Sequence, residues 1–125
     1  MRMIGGQLRE GMLVNLAALW LLAGCSPGHT RDPATLQAIR AEAQALMANP
    51  QVDASSRVPE SRWPPAIAAL RPEWVRIDED GVEIPVRIYF DDSWGYFIPR
   101  DPRKPLKPRS GYSALGEGIY WYHFS

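Results

Sequence analysis

The stretch Val82-Glu-Ile-Pro-Val-Arg-Ile-Tyr-Phe90 (VEIPVRIYF) decides the fold. Val82, Ile84, Val86, Ile88 and Phe90 occupy every second position, with Glu83, Pro85, Arg87 and Tyr89 between them. Successive side chains of a strand point to opposite faces, so the pattern specifies a strand with one face buried. Pro85 has no N–H to give to a ladder, which implies an edge position or a bulge. Upstream, Val75 and Ile77 follow Trp74 in the same alternation, and Asp78-Glu79-Asp80-Gly81 supplies the turn of a hairpin. Downstream, Asp91-Asp92-Ser93 makes the next turn, Trp94 to Ile98 (WGYFI) a third strand and Ile119 to Phe124 (IYWYHF) a strongly β-prone last strand.

The part before this sheet is helical. Asp32 can cap free N–H groups and Pro33 suits a first turn. Leu36, Ile39, Ala43, Leu46 and Met47 then recur at spacings of three and four, which predicts a helix over 33–48 with one apolar stripe. That stripe either docks on the chain's own sheet or receives a partner. Residues 49–62 are polar and turn-rich, a connector; Trp63-Pro64-Pro65 opens a short helix over Ala66 to Leu70, closed by Pro72. Helix, short helix and a mainly antiparallel sheet of about four strands make an α+β fold in a single domain over 33–125, with the sheet-rich part over 63–125.

Two features of the sheet-rich part suggest a binding surface. Pro99, Pro102, Pro105 and Pro108 recur at every third residue, the period of polyproline II, and Arg100, Arg103, Lys104, Lys107 and Arg109 lie among them. Trp94, Tyr96, Tyr120, Trp121, Tyr122 and Phe124 form the second feature, an aromatic density beyond what one face of a small sheet buries. Either some of these rings reach the surface, or both faces of the sheet are covered, one by the helix and one by a loop. Exposed aromatics beside arginine are the usual composition of binding hot spots. The candidate surface is therefore Arg100, Arg103, Lys104, Lys107 and Arg109 with Trp94, Tyr96, Tyr120 and Tyr122.

Catalytic and metal chemistry find little support. His29 and His123 are the two imidazoles and Cys25 the single cysteine, so a Cys/His metal site has too few ligands and no intrachain disulfide can form. Asp78, Glu79 and Asp80, with Asp91 and Asp92 at the next turn, lack the glycine and glutamate spacing of a calcium loop. His123 could serve as a base with an acidic partner, yet no Gly-x-Ser-x-Gly elbow accompanies it. No enzyme activity, metal or cofactor is expected. The whole chain balances 14 basic against 14 acidic residues, which gives no general pull toward nucleic acid.

The first 25 residues state a location. Arg2 and Arg9 give a basic start, Met12 to Leu22 (MLVNLAALWLL) an apolar core too short to span a bilayer as a helix, and Leu22-Ala23-Gly24-Cys25 follows. This segment resembles the signal peptide and lipobox of bacterial lipoproteins. The resemblance implies removal of residues 1–24, acylation of Cys25, and a lipidated tether over 25–32. Ser26 stands where an aspartate would signal inner-membrane retention, which favours the outer membrane, facing the periplasm. The organisation is similar to that of small envelope lipoproteins, including immunity and inhibitor lipoproteins directed against wall-degrading enzymes. The expectation is a noncatalytic interaction module with an envelope protein or peptidoglycan as partner; an immunity or inhibitor role, or a structural accessory of an envelope assembly, are the alternatives.

Overall fold

The structure is a computed structural model that describes residues 29–49, 56–106 and 111–125. Residues 1–28, which include the expected signal segment and Cys25, part of the connector, and Lys107, Pro108 and Arg109 lie outside the described residues. Helix α1 spans Pro33–Ala48, both ends as the capping and stripe signals require. Asp32 caps it, accepting from the Thr35 backbone N–H at 3.0 Å and from the Thr35 hydroxyl at 2.6 Å. Leu36, Ile39, Ala43 and Leu46 are buried, so the stripe is packed into the chain's own core. Among the described residues no helix is long and apolar enough to cross a membrane.

The short helix α2 spans Pro65–Ala69 and packs against α1. Glu42 of α1 joins the two: its carboxylate oxygens accept from the backbone N–H groups of Ala66 at 3.0 Å and Ile67 at 2.9 Å. These are first-turn donors with no partner inside a helix, so Glu42 serves α2 as an external cap. The connector is more ordered than a bare linker. A 3-10 turn covers Glu60–Arg62, Val58 is buried in the core, and residues 56–58 run antiparallel along the outer side of the first strand through Val58 N–H to Val75 O at 2.7 Å. Trp63 packs against the core and donates its indole N–H to Val58 O at 2.9 Å.

Five strands follow: β1 Arg76–Ile77, β2 Gly81–Tyr89, β3 Asp92–Pro99, β4 Tyr112–Gly116 and β5 Ile119–Phe124. They form one sheet in the order β1-β2-β3-β5-β4 with every pair antiparallel. The fold is α+β, with one strand more than the four expected. The extra strand, β4, joins β5 through Glu117 and Gly118, both at positive φ, the backbone of a two-residue hairpin turn.

Pro85 marks a bulge rather than an edge. β2 lies between β1 and β3, and its register shifts between Pro85 and Arg87. The bulge overturns the unbroken alternation of Val82 to Phe90. Before it, Val82 pairs with Ile98 and Ile84 with Tyr96 on the helix-facing side; after it, Arg87 pairs with Trp94 on that side and Ile88 with Ser93 on the other. Ile88 consequently leaves the core face, and with Tyr89 and Phe90 at the hairpin end it is exposed.

Both faces of the sheet carry apolar side chains. Val82, Ile84, Tyr96, Ile98, Ile119 and Trp121 meet the stripe of α1 in one hydrophobic core. On the opposite face lies a layer of mostly part-exposed aromatic rings, and residues after β3 line the same cleft as these rings. Glu42→Ala removes two charge-assisted bonds between α1 and α2 and is expected to lower stability by about 2 kcal/mol. A lower urea midpoint at unchanged m-value checks this; Glu42→Gln, which keeps an acceptor, is expected to lose less.

Candidate functional site

The aromatic layer is built by register. Pairing places Phe97 opposite Tyr120, Gly95 opposite Tyr122, and Tyr112 opposite Tyr122, all on the face away from α1. Tyr112 is the hub: its ring lies 5.9 Å from that of Phe97, 6.4 Å from Tyr120, 6.5 Å from Tyr122 and 5.3 Å from Phe124. Tyr122 and Phe124 stack at 4.5 Å. Tyr122 is fully buried, while Phe97, Tyr112, Tyr120 and Phe124 keep part of their surface in solvent.

Gly95 makes this arrangement possible. A Cβ there would fall onto the Ile84 carbonyl oxygen, Pro85 Cα and the Tyr122 hydroxyl, so only a bare backbone lets the phenol lie across β3. The Tyr122 O–H donates to Glu83 Oε1 at 3.3 Å. Glu83 is in turn held by Arg76 at 3.4 Å, and the same guanidinium lies 3.8 Å from Asp78. Asp78 Oδ1 accepts from the backbone N–H groups of Asp80 at 2.8 Å and Gly81 at 3.1 Å. Its carboxylate thus forms the β1–β2 turn, the role an Asx turn gives it.

The segment after β3 closes the site. Pro99 ends β3, and Arg100 is fastened to the β1–β2 turn by its backbone N–H to Asp80 O at 2.8 Å and its guanidinium to Asp78 O at 2.9 Å. The chain then reverses: Asp101 Oδ1 accepts from the Arg103 N–H at 3.0 Å and Asp101 O from the Lys104 N–H at 3.1 Å. A hydrogen-bonded turn therefore interrupts the polyproline II run expected from Pro99 to Pro108, whose last residues lie outside the described ones; Asp101 wins locally because its side chain offers the backbone a turn partner. Pro105 and Leu106 line the same cleft as the aromatic rings. The result is a cleft of about 160 Å³, floored by Phe97, Tyr112, Tyr122 and Phe124 and rimmed by charged side chains from the β1–β2 turn and the Arg100–Lys104 turn.

The expected surface is thereby divided. Arg100, Lys104 and Tyr122 line the cleft, and Tyr120 adjoins it through Tyr112. Arg103 points away, with an 89% exposed side chain that pairs with Asp101 at 3.2 Å. Two expected surface tyrosines are buried. Tyr96 is in the helix-side core, where its hydroxyl accepts from the Thr30 N–H at 2.9 Å, and Tyr122 is the cleft floor, reached only through its neighbours. Trp94 lies on the helix side, half-buried against the core; His123 stacks on it at 4.5 Å and Arg87 approaches it at 5.9 Å. Lys107, Arg109 and Cys25, the residue expected to be acylated, fall outside the described residues. Phe97, Tyr112, Arg76 and Glu83 are site residues that the sequence reading did not select; the strand register that joins them was the missing information.

His123 does have an acidic partner, Asp92 Oδ1 at 3.0 Å from Nε2. The pair is exposed, and none of the hydrogen bonds among the described residues ties it to a serine or threonine hydroxyl that it could activate. Asp78 and Asp92 stand at opposite ends of the β1–β2–β3 ladder, so the two acidic turns do not form one cluster. Among the described residues no three His, Cys, Asp or Glu side chains are grouped to hold a metal ion. Comparisons with protein-family profiles, curated proteins and solved structures find no match to this chain.

Burial, and then the nearby Glu83 carboxylate, push the Tyr122 phenol well above its ordinary value of 10.0, against a smaller opposing effect of a hydrogen bond from Ser93. Tyr96 is raised in the same direction by burial. A phenol that resists ionisation in the folded state but not in the unfolded one contributes stability below pH 10.0 that is lost as pH rises beyond it. The urea midpoint is expected to fall above that pH, and Tyr122→Phe to flatten the fall; an unaltered alkaline slope in the variant would contradict the burial of this hydroxyl.

Proposed function

We propose that the chain is a noncatalytic envelope lipoprotein, anchored by lipid on Cys25 in the outer membrane and facing the periplasm, which binds an envelope protein or peptidoglycan in the aromatic cleft. The observation that carries the reading is the cleft floor: four aromatic rings gathered on the sheet face away from the helix, three of them part-exposed, beside arginine, lysine and carboxylates. Part-exposed rings within a charged rim offer stacking and hydrogen bonding together. Helix α1 supports no docking role of its own, since its apolar stripe is already packed.

An immunity or inhibitor role against a wall-degrading enzyme is the form this binding takes if the partner is such an enzyme. The acylated protein, purified from membranes, would be tested against two probes: isolated peptidoglycan by cosedimentation, and envelope extract by affinity capture. Tyr112→Ala and Lys104→Glu are expected to weaken retention of the bound probe about tenfold, which corresponds to 1.4 kcal/mol. Arg103→Glu, whose side chain points away from the cleft, is expected to bind as wild type. Full retention by Tyr112→Ala and Lys104→Glu, with folding intact, would overturn the cleft as the binding site.

A further inference from the structure

The charged groups around the cleft are mostly engaged with the chain itself. Arg76 lies between Glu83 at 3.4 Å and Asp78 at 3.8 Å, the Arg100 guanidinium donates to Asp78 O at 2.9 Å, and Asp101 holds Arg103 at 3.2 Å. Two charged side chains at the rim remain. Glu79, in the β1–β2 turn, makes no hydrogen bond or ion pair among the described residues. Lys104, in the turn after β3, gives its backbone N–H to Asp101 O at 3.1 Å, but its ammonium group makes no ion pair among the described residues.

Both side chains are exposed and both line the cleft. The turns that carry them are joined by the Arg100 N–H to Asp80 O at 2.8 Å, so a carboxylate and an ammonium stand at one mouth without neutralising each other. A ligand of either single sign would be drawn by one turn and repelled by the other. A neutral sugar would pair with neither charge. Beneath the two turns lie the part-exposed rings of Phe97, Tyr112 and Phe124. The volume of about 160 Å³ is the liquid volume of about five waters, room for one amino-acid unit.

We propose that the cleft takes a zwitterionic amino-acid unit of a peptidoglycan stem peptide, its ammonium toward Glu79, its carboxylate toward Lys104 and its aliphatic stem on the rings. This rests on the cleft being the binding site, as argued above, and names the part of peptidoglycan that it reads. An uncrosslinked stem peptide carries both groups close together on a short aliphatic chain. Apolar sites with a few placed polar groups fix a ligand's orientation in this way. The rings supply contact area and the two charges supply selection. Because both pairs would form at an exposed rim, each contributes modestly and weakens with salt.

The test uses the full chain purified from membranes and three probes: intact peptidoglycan, soluble stem peptides released from it by an amidase, and the peptide-free glycan strands left behind. The stem peptides are expected to bind, about tenfold more weakly to Glu79→Gln and to Lys104→Met. Acetylating their amino groups is expected to cause the same loss with wild type and no further loss with Glu79→Gln; amidating their carboxylates is expected to do the same for Lys104→Met. Binding of glycan strands in place of the peptides, or peptide binding indifferent to both variants, overturns the zwitterion assignment. The cleft stands in that case if Tyr112→Ala still weakens retention of intact peptidoglycan. Capture of an envelope protein through Tyr112, with none of the three probes bound, likewise overturns the assignment and keeps the cleft. Undiminished binding of the probes by Tyr112→Ala, with folding intact, overturns the cleft and the assignment together.

Discussion

Tyr122 lying across the bare backbone of Gly95 is the contact on which the rest of the molecule depends. A side chain at position 95 would collide with the phenol and with the β2 backbone. Because glycine is there, the ring fills the space over β3 and its hydroxyl reaches Glu83, which Arg76 holds in place. The sheet therefore has a second apolar layer on the side opposite α1. Tyr112, Phe124 and Phe97 pack around that ring, and the Pro99–Leu106 segment finds something to close over.

The bulge beside this contact gives the two ends of the sheet different characters. Up to Pro85, β2 contributes Val82 and Ile84 to the core under α1; beyond it the phase changes and the hairpin carries its apolar residues out of the domain. One end is a tight polar turn in which Asp78, Asp80 and Arg100 satisfy one another's backbone groups. The other is an exposed aromatic tip formed by Tyr89 and Phe90. The small core has no disulfide to support it, since Cys25 is the single cysteine. Its stability must come from packing on both faces, and the binding site we propose is made from the same rings that supply half of that packing.

How legible this was in the sequence depends on how local each signal is. Helix α1 was readable to the residue because Asp32-Pro33 and the stripe of Leu36, Ile39, Ala43 and Leu46 are local signals that agree with the tertiary packing. β5 was equally legible, its aromatic and β-branched residues having one good conformation. β4 was not: Tyr112-Ser-Ala-Leu-Gly116 has little strand propensity, and it is a strand because Glu117-Gly118 folds it back onto β5. Pro85 announces an edge position or a bulge; which of the two it is, and how far the bulge displaces Ile88 and Phe90, depends on the partner strands. Tyr96 and Tyr122 are buried where composition suggests surface rings, because composition counts rings without assigning faces; the rings that keep part of their surface in solvent are Phe97, Tyr112, Tyr120 and Phe124. Proline spacing between 99 and 105 misled for a similar reason, since one aspartate at position 101 is enough to convert an extended period into a turn.

The central claim is that Tyr122 crosses Gly95 to found a second layer on the sheet. The most direct measurement is the set of through-space NMR contacts between the Gly95 α-protons and the Tyr122 ring protons in the folded protein. Strong cross-peaks, accompanied by contacts from Tyr112 to the Phe97 and Phe124 rings, are the expected result. Their absence, with Tyr122 ring protons contacting solvent alone, would contradict the layer, the cleft it floors and the function assigned to it.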